Sequence, residues 1–369
     1  MFGTIIIFVI ILAILVLSHE FGHFIAARRF GVKVEEFGFG FPPRLLSFKK
    51  GQTVYSLNLI PLGGFVKIKG ENGELANEPD SFGHQKAWRR LVMLVGGVAM
   101  NLLAAAVLLS IGFNIGLPSG LQNLGFGARV SDRKIEVVQI LAGSPAEVSG
   151  VALGDVIGQA DDLVNPDFLA LQNYLTGKIG QPVHFVLERD GEKVAKNIIP
   201  IKLEQTGKGG IGVALFERGL VSYPWYLAIY QGAKATAVYF WEILRAFGIL
   251  ILNLFQGQPI SESVSGPVGI AVLTGRAARL GLSYLLQFAA LLSINLAIIN
   301  ILPFPALDGG RVLFLAIEKW RGKPMRQKLE HLIHFIGFAL LLILVLIVTA
   351  RDIGRFNLTW ERLRGLFFK

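Results

Sequence analysis

The chain has no cysteine. Disulfides and thiolate metal sites are therefore excluded, and any bound zinc must rest on His, Asp or Glu. Charge is scarce as well. Asp, Glu, Lys and Arg make up 17% of the 369 residues, against 53% hydrophobic. That balance is too apolar for an ordinary soluble protein of this length. No Lys or Arg precedes Arg28, and the N-terminal apolar run has no small-residue cleavage site. It reads as an uncleaved membrane helix rather than a secretory leader. The formal net charge of +10 does not call for nucleic acid here. Cytoplasmic loops of membrane proteins carry excess Lys and Arg and face anionic lipid.

What the run does contain, at its end, is His19-Glu20-Phe21-Gly22-His23. On a helix, H-E-x-x-H sets two imidazoles at i and i+4 on one face, with a carboxylate beside them. Those groups supply two corners of a tetrahedral zinc site and a base for its water. Ionisable groups inside a membrane helix are costly, so their presence there points to function.

Apolar stretches at 1–27, 90–118, 281–311 and 331–350 approach or exceed the roughly 20 residues that cross a bilayer. Between the second and third lies a polar region, 126–217, with strand-like runs at Ile135–Leu141, Val183–Glu188 and Val194–Pro200 and a hairpin signal at Asp190-Gly191. Residues 28–89 are rich in Phe, Gly and β-formers. They read as short hairpins at or in the membrane beside the metal site, with a plain surface loop as the alternative. An exposed strand edge there could pair with an unwound peptide. The basic residues of 28–89 and of 312–330 place both segments in the cytoplasm; the basic tail, 351–369, conflicts with that topology.

Asp308 is the best third ligand. It follows an apolar helix and is flanked by Pro303, Pro305, Gly309 and Gly310, a pattern of broken backbone lining a polar cavity. A helix C-cap followed by a turn is the alternative. His19 lies about 27 Å from Met1 at ~1.5 Å per residue, near the cytoplasmic side. Asp308 reaches it only if the third span starts outside. Residues 222–256 then cannot cross the membrane once. The segment 218–280 is expected to be an outer surface or amphipathic helix and linker, with 258–266 outside the cytoplasm.

His19–His23, Gly96-Gly97-Val98-Ala99-Met100-Asn101 and Asn300-x-x-Pro303-x-Pro305-x-x-Asp308-Gly309-Gly310 resemble the three membrane motifs of the site-2 protease family. The arrangement is similar to the bacterial regulator-of-sigma-E protease group. The resemblance implies a polytopic α-helical membrane protein of about four transmembrane helices. It adds an inserted extracytoplasmic α+β PDZ domain and a membrane-associated β-hairpin. It implies one Zn2+ per chain on His19, His23 and Asp308, with Glu20 as general base. Asn300, with Pro303 and Pro305, would contact substrate. Asn101 either joins them in shaping the site or makes a helix–helix hydrogen bond. The implied substrate is a single-span protein already shortened outside by another protease, such as an anti-sigma factor or a signal-peptide remnant. The implied location is the bacterial inner membrane, with the N-terminus and PDZ domain extracytoplasmic and the active site near the cytoplasmic side. Lipid is the other partner, and nucleic acid is not one.

Ala142-Gly143-Ser144-Pro145-Ala146-Glu147 with Gly150-Val151-Ala152-Leu153-Gly154-Asp155 is similar to a pattern of bacterial PDZ domains. There is room for one such domain, not two. Gly209-Gly210-Ile211-Gly212 reads either as a loop that captures a peptide carboxylate or as a Gly-rich linker. Two other functions compete. A divalent-metal transporter would not need Glu20 beside its first ligand, and a non-catalytic PDZ scaffold would tolerate loss of Glu20 or Asp308. His331 and His334 are read as interfacial histidines or a second metal pair. Ser265–Gly269 reads as a turn back to the membrane.

Overall fold

The computed structural model describes residues 2–71, 75, 77–122, 124–189, 192–204, 206–257, 265–323 and 327–355. The Asp190-Gly191 hairpin signal, 258–264 of the segment expected outside the cytoplasm, and most of the basic tail lie outside these. The chain forms two compact units, Met1–Ile111 with Ile229–Lys369, and Gly112–Ala228.

The first unit opens with α1, Phe2–Arg29. It is apolar and free of proline, so its backbone polar groups are satisfied within the helix. Strands β1 (Val34–Lys50) and β2 (Thr53–Ile68) follow. Each is long and pairs twice. Residues 44–50 of β1 run against 53–58 of β2, while 36–39 face both 64–67 and 54–57. What the sequence suggests as short hairpins is thus one folded sheet. Helix α2, Ala87–Ile115, returns past α1. Phe24, Ala27, Val34, Ile68, Met93, Leu94 and Leu315 form the core where these elements meet.

The second unit holds β3 (Leu117–Gly120), β4 (Arg129–Ile140), α3 (Pro145–Val148), β5 (Val156–Ala160), β6 (Leu163–Val164), α4 (Phe168–Gly177), β7 (Val183–Arg189), β8 (Glu192–Ile198), β9 (Ile201–Lys202), β10 (Gly209–Gly210) and β11 (Val213–Ser222). The sheet order is β3-β11-β4-β5-β7-β8, with β6 on β5 and a separate β9–β10 pair. It is wider than 126–217 because β3 pairs with the second half of β11. Along β7, Val183, Phe185 and Leu187 are buried and His184 and Glu188 exposed, the alternation of a half-buried strand. Asp155 is fully buried. Arg189 donates to it from Nε at 2.7 Å and Nη2 at 2.8 Å, and Ala152 N–H donates at 2.8 Å. The guanidinium above all holds this carboxyl below the ordinary aspartate range.

The chain continues as α5, Trp225–Phe255, an unbroken helix of 31 residues. Lys234, Glu242 and Arg245 do not interrupt it, because all three are exposed. Gly232 does not break it either, because it is buried against Ser110 of α2. Helix α6, Pro267–Leu280, starts with Pro267 at its first position. Gly269 N–H donates to Asp352 Oδ2 at 2.6 Å, so a carboxylate from another helix closes the amide end of α6. That gives Ser265–Gly269 its physical account. Gly275 of α6 packs on Thr4 of α1. Gly281, at φ 118°, joins α6 directly to α7, Leu282–Ile301. The last helices are α8 (Asp308–Arg321) and α9 (Gln327–Arg355, which carries Asp352).

Among the described residues five helices, α1, α2, α5, α7 and α9, are long and apolar enough to cross a membrane; α5 is the one beyond the four expected. Two further expectations need correcting. The third apolar helix stops at Ile301 rather than 311, and 312–330 is not all loop, since 308–321 is helical. Pro303 and Pro305 lack the N–H groups that would continue α7.

Candidate metal centre

His19 and His23 lie one turn apart on α1, and both are 7% exposed. Helix α2 passes so close that a side chain on Gly22 would run into the carbonyl of Gly96. A methyl on Gly97 would overlap His23 Nε2 and sit 2.6 Å from His19 Cε1. The Gly96-Gly97 pair therefore makes the space that two imidazoles occupy. His23 Nδ1 lies 2.8 Å from Met93 O. A carbonyl only accepts, so Nδ1 carries the proton and Nε2 presents its lone pair to the pocket. Asn101, fully buried, sets its carboxamide 3.3 Å from His19 Nδ1.

Asp308 arrives from α8. Residues 302–307 form a tight break, with Phe304 N–H donating to Leu302 O at 2.7 Å and Leu307 N–H to Phe304 O at 3.2 Å. Gly309 and Gly310 let the first turn of α8 press on the carbonyls of Ile301, Leu302 and Phe304. Asp308 thus starts a helix, where the dipole favours a carboxylate, instead of ending one. Its Oδ2 lies 3.0 Å from His19 Nε2 and 3.3 Å from His23 Nε2, and the two Nε2 atoms are 3.2 Å apart. Asp308 Oδ2 is buried without a hydrogen-bond partner. Among the described residues this is the one His/Asp/Glu group whose ligand atoms converge in this way. Three electron-pair donors at that spacing repel one another unless a cation sits among them. Bonds of about 2.0 Å in a tetrahedron give edges of roughly 3.3 Å, so zinc fits the donor set.

Glu20 lies beside the 63–68 strand: a methyl on Gly64 would be 3.4 Å from Glu20 Cγ. Asn300 places Nδ2 3.5 Å from His19 Nε2. Pro303 is exposed, and Pro305 packs against Gly337 of α9. Gly209 and Gly210 are in β10, and Ile211 is buried in the core of its own unit. Gly209 N–H donates to Thr176 Oγ1 at 3.1 Å, and Ala146 N–H donates to Ile211 O at 3.0 Å. Gly209–Ile211 is therefore folded structure rather than linker.

His334, which the sequence offers as an interfacial histidine or half of a second metal pair, has a partner that no motif announces. Ala306, at φ 75°, donates its N–H to His334 Nδ1 at 2.9 Å. One turn on, Gly337 lets α9 touch the Pro305 backbone. These two positions hold the break that delivers Asp308. Ion pairs hold the rest of α8. Arg90 of α2 donates to both Glu318 oxygens at 2.9 and 3.1 Å, and Arg311 pairs with Glu71.

Comparison with known proteins agrees with this chemistry. The sequence profile of Peptidase family M50 matches residues 7–344. The zinc metalloprotease RasP of Geobacillus kaustophilus is 31% identical over 96% of this chain and 99% of its own length. The regulator of sigma-W protease RasP of Bacillus subtilis is 30% identical over 96% of this chain and 99% of its own. The PDZ domain of an SdrC-like protein from Listeria innocua aligns at 19% identity over 22% of this chain and 92% of that structure, with a TM-score of 0.21. With the profile spanning most of the sequence and the relatives nearly all of it, the chain belongs to peptidase family M50, the site-2 zinc metalloproteases.

Proposed function

We propose that this protein hydrolyses a peptide bond inside the transmembrane segment of a single-span membrane protein. The observation that carries the reading is the convergence of His19, His23 and Asp308, with Glu20 adjacent, on a helix long and apolar enough to span a bilayer. His19, His23 and Asp308 would hold the zinc. When bound, zinc supplies Lewis-acid polarisation of the scissile carbonyl and acidifies water. Glu20 takes the proton of the attacking water and passes it to the leaving amine. The Asn300 carboxamide is placed to hold a substrate oxygen at the pocket. The substrate helix must unwind first, since its own hydrogen bonds shield the scissile bond. The 63–68 strand beside Glu20 offers the freed backbone an edge. Leu45, Leu46 and Phe48 are exposed on β1, which suits a sheet that dips into lipid.

The contacts of α6 support a topology. Thr4 meets α6, α6 leads straight into α7, and α7 ends at His19. Helix α7 therefore starts at the end of α1 remote from the metal centre. With the N-terminus outside, α7 runs inward and the centre lies near the cytoplasmic face. A single crossing by α5 would then need a return across the bilayer within 256–265, so α5 is placed on or dipping into the outer surface. Residues 112–228, with the Ser144–Asp155 pattern, are read as an extracytoplasmic PDZ domain that binds peptide ends near 209–212 or filters substrates by size. The name of the Bacillus subtilis relative, regulator of sigma-W protease, supports a role in signalling. The substrate class is then an anti-sigma factor or a signal-peptide remnant already cut outside.

The test is cleavage of a tagged single-span substrate in liposomes by wild type and Glu20→Gln, with and without a zinc chelator. Cleavage by wild type alone, lost with chelator, is expected. Equal cleavage by both proteins would remove Glu20 from the chemistry.

A further inference from the structure

The two histidines differ in how their outer ring nitrogen is held. Met93 O settles the matter for His23. At His19 the neighbour is the Asn101 carboxamide, with Nδ2 facing Nδ1 at 3.3 Å. An N–H there requires a bare Nδ1, which puts the ring proton on Nε2, inside the pocket. A ring in that tautomer cannot ligate through Nε2. The oxygen and nitrogen of a carboxamide are nearly identical in shape, and their assignment follows the hydrogen-bond network. As assigned, Asn101 Oδ1 is buried with no partner. A half-turn of the amide sets that oxygen on His19 Nδ1 and gives it a donor. The residue itself is anchored, because its backbone carbonyl accepts from Ser293 Oγ of α7 at 2.8 Å.

We propose that Asn101 is a positioning residue for the metal: its Oδ1 accepts the His19 Nδ1–H and fixes the tautomer that leaves Nε2 free to bind zinc. The inference rests on His19 being a ligand. It gives the Gly96–Asn101 motif two tasks, room for the imidazoles at Gly97 and orientation of one of them at Asn101. It assigns Asn101 to the ligand and not to substrate.

The experiment measures zinc affinity of the full chain in detergent by competition with a chromophoric chelator, with thermal unfolding followed alongside. Outer partners of ligating histidines are commonly worth about 10–100-fold in metal affinity. Asn101→Leu should weaken zinc binding by that factor. Asn101→Asp, whose carboxylate only accepts, should match or exceed wild type; if the amide instead donated to the ring, this variant would fail. Wild-type affinity in Asn101→Leu, or weak binding in Asn101→Asp, overturns the proposal. A raised KM in Asn101→Leu with zinc affinity unchanged would reassign the residue to substrate and also overturn it. His19→Ala separates the two levels. If it loses zinc while Asn101→Leu does not, only this inference fails. If it binds as wild type does, the ligand reading fails with it.

Discussion

The metal centre is built from two halves of unlike character. His19 and His23 sit on one uninterrupted helix, and their separation is a property of the helix itself. Asp308 hangs from a broken backbone, and its position depends on residues far away in sequence: His334 and Gly337 behind the break, Arg90 and Glu71 at the flanks of α8. The spacing of the first half is fixed by local geometry, with α2 orienting the rings; the second exists only once the rest of the fold has assembled. A distant substitution should therefore disturb Asp308 far more easily than the histidines.

The sharpest break of that contrast removes a ligand from either side. His23→Ala and Asp308→Ala each leave two protein ligands where a catalytic zinc needs three, so both should lose zinc and all measurable hydrolysis. Zinc held at wild-type affinity by Asp308→Ala would move the third ligand elsewhere. Next comes Gly97→Ala, which drives a methyl into both imidazoles. Overpacking costs about 1–3 kcal/mol, so zinc affinity should fall by roughly 5- to 150-fold. An unchanged affinity would mean that the wall of the local half yields.

The non-local half is probed more gently. His334→Ala removes one partly buried acceptor, worth about 1 kcal/mol, and kcat/KM should drop about fivefold. His334→Asn, whose oxygen can stand in for Nδ1, should recover most of it. Equal losses would credit the ring's packing on Phe314 and not its hydrogen bond. The smallest effect is expected of Arg90→Ala. A partly exposed ion pair contributes roughly 0–1 kcal/mol, so a two- to threefold change is anticipated. Adding Glu318→Ala should cost nothing further, a result that a double-mutant cycle reads directly.

The same contrast decided what was legible in the sequence. His19, Glu20 and His23 announce themselves because a helix makes i and i+4 neighbours. Asp308 was found through its Pro and Gly flanks, yet its place at a helix start was missed, since an apolar run does not reveal where Pro303 ends it. His334 carries no motif, and only the folded chain shows that it faces Ala306. The second pairing of 36–39 is likewise a long-range fact that alternation along β1 cannot supply. Gly232 looks like a break in an apolar helix, but only the fold shows it buried against Ser110, where small residues in membrane helices commonly serve close packing.

Helix α6 touches Thr4 near the start of α1 through Gly275 and Asp352 near the end of α9 through Gly269. Six residues of helix separate those contacts, about 9 Å. Helix α6 thus bridges the start of α1 and the end of α9, which is a matter of wiring. Complementary halves of a split reporter fused at the two ends should reassemble on a single chain. In a protein with no cysteine of its own, one introduced thiol at each end would report the same proximity without background.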